Sequence, residues 1–130
     1  MLDALDAGRS IEIDAAAAWS GVYGPDLIDV VLDLLLDGAT GAISVRPGER
    51  IREVEFARAL AVVADRDQAL IVETGSPPPA SLFAWAGPAS YLPPLETTLE
   101  RFVREARAAR LSGDLAVERR EDDVRLEAAE

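Results

Sequence analysis

Arg50-Ile51-Arg52-Glu53-Val54-Glu55-Phe56-Ala57-Arg58-Ala59-Leu60-Ala61-Val62-Val63-Ala64 is the stretch on which the fold turns. Read as a helix, it places Phe56, Ala57, Leu60, Ala61, Val63 and Ala64 on one face and leaves Val54 and Val62 outside. Read as a strand, it places Val54, Phe56, Leu60 and Val62 on one face, broken by Arg58. Its alanines favour the helix. A helix here, between strand candidates, predicts β-α-β alternation with parallel pairing. A strand predicts an antiparallel meander.

Working outward, Ala69 to Thr74 opens with an uninterrupted apolar run and predicts a strand at the centre of its sheet. Gly41 to Val45 predicts a further strand, followed by a turn at Pro47-Gly48. Ser10 to Asp14 alternates and predicts a short strand. Ala15 to Tyr23 reads as one Ala-rich helical turn entering a loop broken by glycine.

Two helices frame this region. Pro25 suits a first helical position and Gly38 a stop, which predicts a helix over Pro25 to Asp37. Its apolar residues cover more than half the circumference, and Asp26, Asp29, Asp33 and Asp37 share the remainder. The pattern predicts a mostly buried helix showing one acidic stripe to water. The second helix is predicted over Pro94 to Leu111, with Leu95, Leu99, Phe102, Val103, Ala106 and Ala109 inward and Gly113 as its stop. Residues 115–128 then read as a β-hairpin turning at Glu121-Asp122. Val117 would face Leu126, and Glu118 would face Arg125. The expectation is one domain over residues 1–130, α/β or α+β. A mixed sheet of about five strands is packed by two or three helices and ends in that hairpin.

The composition excludes more chemistry than it suggests. The 130-residue chain has no His and no Cys, and all 13 of its basic residues are Arg. Lys and Asn are absent too. The usual general base, thiol nucleophile and Schiff-base amine are therefore missing, as are Cys- or His-based zinc sites. Asp65-Arg66-Asp67 and Glu121-Asp122-Asp123 lack the spacing of an EF-hand loop and read as turn residues facing water. Gly38-Ala39-Thr40-Gly41 leads into a strand candidate instead of a helix, so it is no dinucleotide fingerprint. No catalytic residue and no cofactor is assigned. The missing residue types fit the codon bias of a GC-rich bacterial or archaeal genome. Salt adaptation is the competing cause.

The net charge is −11. It opposes binding to nucleic acid and to anionic membranes, and it favours a basic protein partner. Asp3, Asp6, Glu12, Asp14, Asp26, Asp29, Asp33 and Asp37 stand against Arg9 alone in residues 1–45, which hold −7 of that charge. The acidic N-terminus does not resemble a signal peptide, and the uncharged stretch 74–95 is interrupted by six prolines. A cytoplasmic location is expected.

Asp33 and Asp37 repel at i,i+4, and Asp37 lies at the unfavourable end of the helix dipole. The stability of the helix does not ask for this stripe. It reads either as the polar edge of a buried helix or as a docking face for a basic partner. Leu82, Phe83, Trp85 and Tyr91, set among prolines, read either as a cover that completes the core or as apolar anchors of an interface. The favoured reading is a non-enzymatic binding or regulatory domain of adaptor, chaperone or immunity type, engaging a basic protein or a second copy of itself. The alternative is a small enzyme or enzyme subunit binding a small molecule at the strand ends of a parallel sheet.

Overall fold

Residues 53–63 are helical, and they organise the molecule. The computed structural model describes the chain apart from Ser20, Gly48, Glu49, residues 84–90 and Glu130; the side chains of Leu82 and of residues 114–129 are also outside the description. The element order is α1 (Leu2–Asp6), β1 (Ile11–Asp14), β2 (Ala18–Trp19), α2 (Gly24–Leu36), β3 (Ile51–Arg52), α3 (Glu53–Val63), β4 (Ile71–Thr74) and α4 (Leu95–Ala129). Short 3-10 turns span Gln68–Leu70 and Ala80–Phe83.

β1 and β4 pair in parallel, with Ile11 beside Ile71 and Ile13 beside Glu73. β2 and β3 pair antiparallel, with Trp19 beside Ile51. The molecule is a small mixed α+β domain holding two two-stranded sheets among the described residues. α3 leads into β4 and packs on the β1–β4 pair, as a crossover helix does. Val54, Ala57, Leu60, Ala61 and Ala64 form its buried line, joined by Leu2, Leu5, Ile13, Ile71, Leu99 and Val103. Alanines on this line let α4 and the sheet approach the α3 backbone closely. Val54 belongs to that line: it lies three residues before Ala57 and seven before Ala61, on the same face. The sequence reading wrongly left it outside.

Four expectations about the elements are corrected. The five-stranded mixed sheet is replaced by two short pairs, so β4 has one strand neighbour and is not central. Residues 41–47 form no strand; with no neighbouring strand to complete, the Ile43–Val45 run has no ladder to join. Ala18–Trp19 is a short strand and not a loop. The predicted hairpin of residues 115–128 is helical, because α4 runs on through Gly113 to Ala129. An isolated two-stranded hairpin is marginal in water. Ala, Leu, Glu and Arg make up most of this segment and are strong helix formers. The helix ahead of it has already met the nucleation cost.

The fifth correction concerns α2. Its boundaries are close to those expected, and Gly38 at φ +74° closes it. The Ala39 N–H reaches the Leu34 carbonyl and the Gly38 N–H reaches that of Leu35, a Schellman stop. The orientation is nearly the reverse of the expected one. Asp26 and Val30 are its buried residues, whereas Ile28, Leu35 and Leu36 are 60%, 65% and 85% exposed. Val30 is buried apart from the main core cluster, which no side chain of α2 joins.

Candidate functional site

The orientation of α2 is set by polar contacts at its N-terminal end. Asp26, 5% exposed, accepts a hydrogen bond from Thr98 Oγ1 at 2.7 Å and faces Arg101 Nη1 at 3.0 Å. Thr98 and Arg101 are adjacent on one face of α4, three residues apart. Arg101 also meets Asp29 at 2.6 Å and Glu105 at 2.8 Å. Three carboxylates around one guanidinium hold Arg101 above its ordinary range, led by the hydrogen bond to Glu105. The Tyr23 hydroxyl donates to Glu105, which raises the phenol and lowers the carboxylate. The Tyr23 ring meets Phe102 edge-on, with centroids 5.6 Å apart. These contacts bind the first turn of α2 to α4.

The rest of α2 stands out from the body. At about 100° per residue, Val31, Leu35, Ile28, Leu32 and Leu36 occupy an arc of about 140°, and all five are exposed. Asp29 and Asp33 border that arc beside Leu36. Asp33 and Asp37 are exposed and make no side-chain ion pair among the described residues. The four predicted aspartates therefore separate. Asp26 is an internal group taken by Arg101 and Thr98, a correction to its place on a solvent stripe. Asp29 is shared between Arg101 and water, and Asp33 and Asp37 are open.

The aromatic loop is only partly described. Phe83 is half-buried and Tyr91 is 57% exposed. Trp85 and the Leu82 side chain lie outside the described residues. A cavity of about 330 Å³ opens at the N-terminal end of α2, between Trp19, Tyr23, Asp26, Ile51, Pro94 and Thr98. Trp19 is packed there by two neighbours. Phe56 stacks on it at 4.3 Å and 12°, and Gly21 lies against its indole. A Cβ at Gly21 would come within 3.0 Å of the ring. The lining comes from β2, β3, the starts of α2 and α4 and the loops beside them, not from the strand ends of the β1–β4 pair, where the small-molecule alternative would place its ligand.

A second arginine cluster lies at the far end of α4. Asp6 faces Arg66 at 3.1 Å, Arg107 at 2.8 Å and Arg110 at 2.7 Å, and Arg110 also meets Asp3. Arg107 donates to the Ala64 carbonyl at the end of α3. This cluster clamps α1 to α3 and α4, and the hydrogen bond from Arg107 leads in holding Asp6 well below the usual carboxylate range. Arg101, Arg107 and Arg110 of α4 are thus all consumed in internal pairs. Sequence reading missed these partners because Asp6 and Arg110 are more than a hundred residues apart.

Among the described residues no group of three or more carboxylates converges to hold a metal ion, and no helix is long and apolar enough to cross a membrane. The chain matches no family model, no curated protein and no solved structure.

Proposed function

We propose that this chain is a non-enzymatic protein-binding domain whose contact surface is the outer face of α2, engaged by a basic protein. The observation that carries this reading is the exposed row Ile28, Val31, Leu32, Leu35 and Leu36 beside Asp29 and Asp33. Contiguous apolar surface rimmed by polar residues marks interaction sites. Each such side chain yields roughly 1.5–3 kcal/mol when fully buried, and here that burial is left to a partner. The acidic border steers a cationic partner and opposes non-specific collapse. The absence of His, Cys and Lys supports a binding role over a catalytic one.

The test is capture from the native host with the intact chain and with an Ile28→Ser/Leu32→Ser/Leu35→Ser variant, at low and high salt. The expected result is a basic protein retained by the first, lost with the second and weakened by salt. Equal capture by both chains would place the contact elsewhere.

A further inference from the structure

Resting on that reading, we infer that the partner element covering α2 is a cationic amphipathic helix, and not a strand or a second copy of this chain. The exposed residues fall at i, i+3, i+4, i+7 and i+8 from Ile28, forming a ridge about 12 Å long. Packing of side-chain ridges into grooves lets a second helix match such a ridge. A strand laid on it would meet side chains only. Its backbone N–H and C=O groups would lose water and gain no partner, because the backbone of α2 is already bonded within the helix. A helix brings its own backbone bonds.

Charge decides between a foreign helix and a second copy. α2 and its C-cap carry Asp26, Asp29, Asp33 and Asp37 and no cation. Two copies packed antiparallel through this face would set Asp29 and Asp33 of one against the same pair of the other. Arg101, the cation that pairs with α2, is already shared by Asp26, Asp29 and Glu105. A helix with arginine or lysine along one flank of an apolar stripe supplies the missing charge where Asp33 has none.

The probe is a synthetic Leu/Arg peptide of about 18 residues, long enough to form a helix, with leucine at i, i+3, i+4 and i+7. A scrambled peptide of the same composition and a Leu/Glu peptide are the controls. Titration into the full chain, followed by calorimetry and circular dichroism, is expected to show one peptide bound per chain with gain of helix. The Ile28→Ser/Leu32→Ser/Leu35→Ser variant should weaken binding about tenfold or more. Asp29→Ser/Asp33→Ser should weaken it less, and should flatten its dependence on salt between about 50 and 500 mM. Equal binding of either control peptide, or binding unchanged by the triple variant, overturns the inference. Light scattering that shows a dimer abolished by the triple variant also overturns it, in favour of a second copy. If the host partner is captured in a variant-sensitive way while the peptide does not bind, α2 stands as the contact surface and only the cationic-helix inference falls.

Discussion

Asp26 and Arg101 lie 3.0 Å apart across the junction of α2 and α4, and their pairing turns the apolar side of α2 outward. Asp26 is buried, while the Arg101 side chain is 28% exposed and keeps Asp29 and Glu105 as further partners. The two ends of the pair therefore respond differently to removal. Arg101→Ala leaves a buried carboxylate with Thr98 alone and should destabilise the fold more than removal of Asp26 does. Asp26→Ala leaves the guanidinium still paired and should cost about 1 kcal/mol. Urea unfolding of both variants checks the order; equal costs would refute it.

The clamp on Asp6 predicts sensitivity to acid. Its folded pKa lies below its unfolded value of about 3.9, and Glu73 and Glu105 are shifted the same way by Arg52 and by Tyr23 with Arg101. A depressed carboxylate contributes stability above the unfolded pKa and loses it as pH falls through the folded one. Thermal midpoints should hold near neutrality and drop progressively below about pH 4. Asp6→Asn should flatten that drop and cost about 2 kcal/mol at pH 7.

Tyr23 predicts a change at the alkaline end. Its phenol is raised by the hydrogen bond to Glu105, then by burial. A raised pKa contributes stability below the unfolded value of about 10 and loses it as pH climbs through the folded value. Ultraviolet titration should show a late tyrosinate phase that Tyr23→Phe removes. A titration unchanged by that substitution would refute the assignment.

Gly21→Ala probes the packing around Trp19. The added methyl would press on the indole at 3.0 to 3.2 Å, and the ring is stacked on Phe56 at 4.3 Å. A cost of about 1–2 kcal/mol is expected, together with a change in tryptophan fluorescence. Wild-type stability and spectrum would show that the ring is free to move.

The outward face of α2 makes the sharpest contrast. Leu32→Ser and Leu35→Ser should each change stability by no more than about 0.5 kcal/mol, as surface substitutions do. Leu60→Ala and Leu99→Ala, in the core, should cost about 2–5 kcal/mol. Large losses at Leu32 and Leu35 would show that this face is buried within the chain.

Local signals in the sequence marked Pro25 near the start of α2, its Gly38 stop, the β1 strand and the helical character of residues 53–63. Each rests on proline and glycine placement or on side-chain period, which act over a few residues. The sequence by itself also established the chemistry the chain lacks, since residue types need no coordinates. The orientation of α2 was decided only by the tertiary structure. A count of apolar positions turns the leucines inward, but Thr98 and Arg101, some seventy residues away, turn Asp26 inward instead. The end of the chain was decided by context as well. Cross-strand pairs and helix spacing were both present in residues 115–128, and an upstream helix already formed on the core made continuation the lower-cost path. Side-chain period reports which residues share a face; which face meets the protein depends on partners distant in sequence.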